Sequence, residues 1–282
     1  MQLLYLLMDL FSIFLFLACL YDSRNYGDWV ILLFLALIYG LTLEIVNVKL
    51  SGFYRYSTSF PLRVRGIPLS VAIGWATIIY SSMRLTDKFK MPLSFKPLSD
   101  AYHALLIDLS MDVVAIRLGY WSWAIPLSSG WFGVPAGNYI GWFLVVTIYS
   151  TIVRKSLSNA SWIGRLIFLS SPASSLSLLI SFLYLLGRLG IMGASTAGYL
   201  FFLSLFIISG LTTLRWDKNG NSDLTIPLAI RGLFQIYFIS LYLYTGMYHS
   251  IPRYTIVLLS LFLLEIAQWI RLVRPNWKII QV

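Results

Sequence analysis

A small set of ionisable side chains interrupts the long apolar runs of this 282-residue chain. The set comprises Asp9, Glu44, Asp108, Asp112, Arg231 and Glu265. A charged side chain at the centre of a bilayer costs about 2.5–3.5 kcal/mol on insertion scales, so such residues mark either a function or a specific partner. They are therefore the first candidates for chemistry.

Asp108 and Asp112 are four residues apart, a spacing that places both carboxylates on one face of a helix, one turn from each other. Asp100 falls on roughly the same face, two turns earlier. Two neighbouring carboxylates in a low-dielectric site do not both ionise cheaply, so we expect one to keep its proton near neutral pH. Such a pair suits a general acid or a divalent cation. The structural alternative is a salt bridge with Arg117 or Arg231.

The other buried carboxylates have structural readings beside functional ones. Glu44 lies near the end of its apolar run, where a site role competes with pairing to Lys49 or with reaching the membrane interface. Asp9 is expected to be structural. Glu265 is expected to pair with Arg271 at a helix end.

Aromatic residues form a second signal beside the carboxylates. Four tryptophans, a phenylalanine and two tyrosines gather around a Gly/Pro-rich turn, GWFGVPAGN: Tyr120, Trp121, Trp123, Trp131, Phe132, Tyr139 and Trp142. Another cluster, Tyr54, Tyr56 and Phe60, precedes Pro61. An interfacial aromatic belt is the ordinary explanation, but this density exceeds what a belt requires. An aromatic pocket would hold a conjugated or isoprenoid chain and stabilise a developing carbocation.

The composition identifies the environment that must position these residues. The chain is 59% hydrophobic and 11% charged, against about 45–50% and 25% in soluble domains. This balance excludes a soluble enzyme and a disordered chain. The single cysteine, Cys19, excludes an internal disulfide, and two histidines make a multi-histidine metal centre improbable. The net charge is +10, and the basic residues lie between the apolar runs. This pattern is typical of membrane proteins rather than of nucleic-acid-binding proteins.

Nine apolar runs are candidates for membrane-spanning helices, which need about 20 residues. The runs cover 2–20, 29–48, 67–83, 98–118, 139–153, 163–186, 191–214, 226–247 and 254–272. We therefore predict an all-α, polytopic transmembrane helical bundle of about eight or nine helices, forming a single integral membrane domain over residues 1–282. The first run has no basic start and no small-residue cleavage site, which favours a retained helix over a signal peptide.

The basic loops indicate an orientation in the cell membrane. With nine spans, the loops at 84–96, 154–165 and 271–278 share one side, the last of them carrying Arg271, Arg274 and Lys278. That side would be cytoplasmic by the positive-inside rule. The loop with Lys49, Arg55, Arg63 and Arg65 falls on the opposite side and argues against this assignment.

Four stretches in order resemble the carotenoid biosynthesis membrane-protein family that includes the carotenoid hydratases. They are Glu44 followed by GFYRYS, then GIPLSVAIGWATIIYSSM, DLSMDVVAIRLGYWSW and WFGVPAGNYIGWF. Together they cover residues 44–143, and their order and combination are specific. The family usually has proline after the second aspartate, where this chain has Val113. The C-terminal half resembles the family only in being apolar helices.

The resemblance implies hydration of a terminal isoprenoid double bond of an acyclic carotenoid to a tertiary alcohol, with no redox or organic cofactor and no metal. It implies catalytic roles for Asp108, Asp112 and Glu44. The substrate-binding residues would be Tyr54, Tyr56, Pro68, Trp75, Trp121, Trp123, Asn138 and Trp142, with Gly133 and Pro135 shaping loops. The partners would be an acyclic carotenoid or other polyene isoprenoid, the lipid bilayer and other enzymes of the pathway, with no nucleic acid.

Three other functions compete with this interpretation. A membrane prenyltransferase would use Asp108-x-x-x-Asp112 as half of a Mg²⁺–diphosphate site, but the sequence has no second motif of this kind. A transporter predicts inverted repeats and broken helices in matching halves, which the sequence does not show. A non-catalytic partner in a pigment-synthesising complex would tolerate loss of the carboxylates.

Overall fold

The computed structural model describes residues 2–191, 195–217 and 223–273. This part of the chain is a helical bundle with short strands, in agreement with the predicted all-α architecture. In chain order the elements are α1 (Gln2–Ser23), α2 (Trp29–Ser51), β1 (Tyr54–Tyr56), β2 (Arg63–Val64), β3 (Ile67–Pro68), α3 (Leu69–Thr86), α4 (Lys96–Arg117), β4 (Trp121–Trp123), α5 (Ala136–Leu157), α6 (Trp162–Leu169), α7 (Ser171–Arg188), α8 (Thr196–Leu214), α9 (Thr225–Tyr244), α10 (Met247–Ser250) and α11 (Pro252–Val273). Arg274 and Lys278 lie outside the described residues.

Six of the described helices are long and apolar enough to cross a membrane: α1, α2, α5, α8, α9 and α11. The helices α6 and α7 are apolar enough only when taken together, and they meet at a bend of 64°, which is the geometry of a broken span or of a re-entrant loop. The apolar run at 163–186 is therefore broken rather than continuous. The bend coincides with Pro172 in the first turn of α7, where the missing N–H of proline costs no helical hydrogen bond.

The runs at 67–83 and 98–118 form α3 and α4, but neither helix is among those apolar enough to span by composition. Both are buried along almost their whole length, and α4 packs against α3, α5, α8, α9 and α11. Because protein rather than lipid surrounds these two helices, their polar side chains lie inside the bundle and away from the hydrocarbon. They form its centre.

An antiparallel ribbon of β1 and β4 joins the end of α2 to the end of α4. Tyr54 pairs with Trp123, and Tyr56 pairs with Trp121. The neighbouring hairpin of β2 and β3 turns at Arg65 and Gly66, both with positive φ, as a two-residue hairpin turn requires. The basic loop before α3 is thus an ordered cap over one end of the bundle.

The opposite end of the bundle gathers the other basic loops. Arg154, at the end of α5, donates to the Asp87 carboxylate just after α3, at 2.6 Å. Arg165 on α6 pairs with Asp28, which precedes α2, at 2.5 Å. The loops at 84–96 and 154–165 therefore share one end, as the sequence predicts.

Candidate active site

A cavity of about 780 Å³ lies among α2, α3, α4, α5, α7 and the β1–β4 ribbon. Its lining is mostly apolar and aromatic, with three carboxylates, Glu44, Asp108 and Asp112. Among the residues that the structure describes, no Lys, Arg or His contributes to the lining. An apolar pocket with a few converging polar groups is the usual form of a small-molecule site.

The two aspartates project from α4 one turn apart and are buried. Asn138, in the first turn of α5, bridges them. Its amide nitrogen donates to Oδ2 of Asp108 at 3.2 Å and to Oδ2 of Asp112 at 3.0 Å. The indole of Trp121 donates to Oδ1 of Asp112 at 2.6 Å. Oδ1 of Asp108 is buried and has no hydrogen-bond partner in the described structure.

Neither arginine considered as a salt-bridge partner reaches this pair. Arg117 instead donates to the carbonyl oxygens of Val113 and Phe132, at 3.1 and 2.7 Å. A separation of five residues turns the two side chains about 140° apart on a helix, so Arg117 faces away from Asp112. Arg231 pairs with Glu265. Within the described ranges, the Asp108–Asp112 pair therefore has no cationic side chain as a partner.

Glu44 is buried in the same cavity and does not reach the interface or pair with Lys49. Three neutral donors hold it. The hydroxyls of Tyr54 and Tyr56 donate to Oε2, the latter at 2.8 Å, and the indole of Trp75 donates to Oε1 at 2.7 Å.

Close packing of α2 on α3 brings Trp75 to Glu44. A Cβ added at Gly40, one turn before Glu44, would lie 2.5 Å from Cβ of Trp75. Glycine is therefore required there for the two helices to approach.

The β1–β4 ribbon connects the two groups of carboxylates. The rings of Tyr56 and Trp121 are 6.0 Å apart, and those of Tyr54 and Trp123 are 4.8 Å apart. Tyr56 donates to Glu44 and Trp121 donates to Asp112, so a single pair of facing strands positions both acids. The carboxylates thus form one site.

Seven of the eight expected substrate-binding residues line this cavity: Tyr54, Tyr56, Trp75, Trp121, Trp123, Asn138 and Trp142. Trp75 and Trp142 stack with ring centroids 3.8 Å apart. Pro68 does not line the cavity, because it lies in β3, paired with Arg63, immediately before α3. Pro135 lines the cavity as the residue before α5, whereas Gly133 forms the preceding turn with a φ of +89°. Trp131 is 39% exposed and lies outside the lining.

The remaining buried carboxylates form hydrogen bonds and ion pairs that hold parts of the bundle together. Asp100 accepts hydrogen bonds from Ser150 and from Arg154, the latter at 2.8 Å. Asp9 accepts the backbone N–H of Leu62 at 3.1 Å, which agrees with a structural role.

The expected pairing of Glu265 with Arg271 is wrong. Six residues turn these side chains about 240° apart on a helix. Glu265 instead binds Arg231 of α9. Arg271 donates to the carbonyl oxygens of Leu214 and Trp216.

Several lining residues were not predicted. They are Ser70 and Gly74 at the start of α3, Met111 between the two aspartates, and Leu176, Leu179 and Leu183 on α7. Met111 could have been found because it lies three residues from Asp108, on the same helix face. The α7 leucines have helical spacing, but that spacing is equally typical of a helix that faces lipid.

The donor set is poor for a metal–diphosphate site. Among the described residues, no group of three or more His, Cys, Asp or Glu side chains could hold a metal ion. The cavity lining also offers no Lys or Arg to a diphosphate.

Comparison with known proteins places the chain in a family. A family model described as carotenoid biosynthesis protein matches residues 1–208, and this range includes every residue of the site named above. No curated protein and no solved structure matches the chain.

Proposed function

Because the chain belongs to the carotenoid biosynthesis protein family, we propose that its reaction is the hydration of a terminal isoprenoid double bond of an acyclic carotenoid, giving a tertiary alcohol. The observation that carries the proposal is one cavity with aromatic walls and three buried carboxylates, each held by neutral donors. We also place the protein in the cell membrane, where its polyene substrate dissolves, beside the other enzymes of the pathway.

The reaction needs an acid, a stabilised cation, a water molecule and a base. A proton adds to the less substituted carbon of the double bond, and the π electrons form the new C–H bond. The other carbon becomes a tertiary cation. Water forms the C–O bond and then loses a proton to the base. Return of that proton from the base to the acid resets the site, so the net change is the addition of one water.

Asp108 is the better placed proton donor. Its Oδ1 faces no hydrogen-bond partner in the described structure, whereas both oxygens of Asp112 accept hydrogen bonds from Trp121 and Asn138. The free oxygen is the one that can carry a proton to the substrate. Before the transfer the pair carries one negative charge, on Asp112, since two adjacent buried carboxylates share one negative charge more cheaply than they carry two. After the transfer Asp108 is a carboxylate as well, and both anions stabilise the developing cation.

Aromatic faces supply the rest of the cation's surroundings. Trp75 and Trp142 are stacked on one wall, and Trp121 and Trp123 stand on the ribbon. A cation over a tryptophan face gains about 0.5–2 kcal/mol, with the larger values in dry sites. The same apolar walls exclude bulk water, so that only a positioned water reaches the cation.

Glu44 is the proposed proton acceptor, acting through the tyrosine hydroxyls bound to it. Tyr54 and Tyr56 both donate to Glu44 and both line the cavity. A tyrosine hydroxyl that takes a proton from the attacking water passes its own proton to Glu44. The hydroxyl of Ser70 lines the cavity, is buried and has no partner in the described structure, so it can hold the water in place.

Prenyl transfer is less well supported by this site. A diphosphate would face three carboxylates and no cationic side chain in the lining. The test below includes Mg²⁺ removal for this reason.

Expression in a host that accumulates lycopene tests the proposal. We expect a product heavier by one water with the polyene absorption spectrum unchanged, measured by chromatography with mass spectrometry. Asp108→Asn, Asp112→Asn and Glu44→Gln should each reduce the product by at least about 10²-fold, the usual contribution of a general acid or base.

Asp9→Asn is the matched control, because Asp9 is a buried carboxylate that does not line the cavity and Asn keeps its acceptor for Leu62. This variant should hydrate like the wild type. Full activity of the Asp108/Asp112 double variant would refute the assignment and favour a non-catalytic role. Activity that disappears when Mg²⁺ is chelated would favour the prenyltransferase instead.

A further inference from the structure

Three helical glycines have no packing reason to be glycine. They are Gly74 on α3, Gly141 on α5 and Gly187 on α7, and a Cβ added to any of them would meet nothing within 4 Å. Glycine inside a helix costs about 0.5–1 kcal/mol relative to alanine. All three line the cavity.

Other helical glycines have an evident packing role. A Cβ at Gly40, Gly210 or Gly232 would lie 2.5, 3.0 and 2.4 Å from side-chain atoms of Trp75, Tyr102 and Trp269. Close approach of helices explains glycine at those positions. It does not explain the three open ones, which instead keep space free inside the cavity.

The cavity follows α7 and reaches the outer face of the bundle. Leu176, Leu179, Leu183 and Gly187 line it along one side of the helix, a length of about 16 Å at 1.5 Å per residue. Tyr184 also lines the cavity and is 68% exposed. The cavity therefore reaches the exposed face of α7 at Tyr184.

The inner part of the cavity contains the unpartnered acid. Oδ1 of Asp108 is buried without a hydrogen bond in the described structure, and Asp108 lines the same cavity as the three glycines. An unsatisfied buried carboxylate oxygen costs free energy unless a ligand or water meets it. This observation is independent of the glycines and also points to an occupant.

We propose that Gly74, Gly141 and Gly187 line three sides of a channel for the polyene, which enters from the lipid beside Tyr184 and brings its end group to Asp108. The identification of the ligand as a polyene rests on the proposed function. A conjugated polyene is a stiff, flat rod with methyl branches and cannot bend around a protruding side chain. Backbone without Cβ atoms gives such a rod a smooth surface from three sides.

Filling the channel tests the assignment. Gly141→Leu and Gly187→Leu should fold, because the added Cβ has no protein atom within 4 Å. Each leucine side chain should nevertheless exclude the polyene from the channel. We measure lycopene binding to purified protein in detergent by quenching of tryptophan fluorescence, hydration in cells, and the melting temperature. We expect binding and hydration to fall at least about tenfold, and Gly141→Ala and Gly187→Ala to give smaller losses with an equal or higher melting temperature.

Leu185→Phe is the control on the same helix, because Leu185 is 54% exposed and does not line the cavity. It should bind and hydrate like the wild type. Wild-type binding in all four glycine variants would overturn the channel. If the wild type binds lycopene without hydrating it and the glycine variants lose binding, the channel stands and the hydration proposal fails. A wild type that binds no polyene overturns the channel as well.

If the leucine variants have a lower melting temperature than the wild type, the two alanine variants test the channel. Undiminished lycopene binding in both alanine variants then counts against the channel, and reduced binding at an unchanged melting temperature supports it.

Discussion

One helix, α4, carries buried aspartates in two contrasting environments. Asp100, near its start, is bound by the guanidinium of Arg154 and the hydroxyl of Ser150. Asp108 and Asp112, further along, are held by an amide and an indole and face an open cavity. Residue type and burial are the same in both places. What differs is whether a cation neutralises the carboxylate.

The other buried ion pairs follow the pattern of Asp100. Arg84 donates to Asp22 at 3.1 Å, and Arg231 binds Glu265 while also donating to the carbonyl oxygen of His103 at 2.7 Å. Each of these carboxylates already has a full counter-charge. A carboxylate held only by neutral donors keeps the capacity to exchange a proton or to meet a cation, which is the capacity that catalysis needs.

The same substitution at two positions of α4 gives the largest expected contrast. Asp100→Asn leaves Arg154 without its main buried partner, and we expect it to lower the free energy of unfolding by about 3 kcal/mol, as breaking a buried pair does. Asp112→Asn removes a carboxylate that has no cation and should change stability by less than about 1 kcal/mol while abolishing hydration. Denaturant unfolding in detergent, followed by tryptophan fluorescence, measures both.

Equal destabilisation by the two variants would show that Asp112 is also a structural carboxylate. An Asp100→Asn variant as stable as the wild type would show that the ion pair with Arg154 contributes nothing to the bundle. Either result removes the distinction between the two environments.

Removing one hydrogen-bond donor from Glu44 should reduce the hydration rate by less than removing a carboxylate does. Tyr56→Phe deletes a hydroxyl that donates to Glu44 at 2.8 Å. Loss of one hydrogen bond to a charged group is worth about 1.5–3 kcal/mol, so we expect a 10- to 100-fold drop in hydration. Tyr39→Phe is the control, because the Tyr39 hydroxyl is also buried but donates to the carbonyl oxygen of Val145. An unchanged rate in Tyr56→Phe would remove the proposed proton path through this hydroxyl.

The smallest expected change in stability concerns the ion pairs of Asp87, which lies at the end of the bundle away from the cavity. Burial raises its pKa, but the guanidinium of Arg154 and the ammonium of Lys96 lower it by more, so its folded pKa lies below the ordinary value. A depressed carboxyl pKa gives stability that is present above about pH 4 and lost as the pH falls through the folded value. Lys96→Met should therefore cost less than about 1 kcal/mol at pH 7 and weaken the loss of stability in acid.

Melting temperatures of wild type and Lys96→Met between pH 7 and pH 3 check this prediction. The two curves should converge in acid. Parallel curves would mean that Lys96 does not stabilise ionised Asp87.

Local spacing in the sequence predicts part of the site well. A four-residue interval is enough to place Asp108 and Asp112 together, because helix geometry alone fixes it. The family resemblance adds Glu44, Trp75 and Asn138, which come from three other helices yet meet at the cavity.

Partners that come from distant helices are not predictable in this way. Arg271 is the nearest cation to Glu265 in the sequence, but the partner is Arg231, contributed by α9. The leucines of α7 give the same pattern whether they face lipid or a cavity. The packing of the whole bundle decides whether a helix face contacts lipid or a cavity. The spacing of residues along one helix does not distinguish these two apolar environments.

The strand pairing of β1 with β4 has a consequence for how the protein is made. The ribbon needs Trp123, which follows its partner Tyr54 by 69 residues, and Trp121, which follows Tyr56 by 65. At synthesis rates of about 5–20 residues per second, these partners leave the ribosome some 3–13 s after the tyrosines. The donors to Glu44, which are Tyr54, Tyr56 and Trp75, are therefore synthesised well before the ribbon can close. Asp112 can gain its hydrogen bond from Trp121 only after α3 and α4 have both been synthesised.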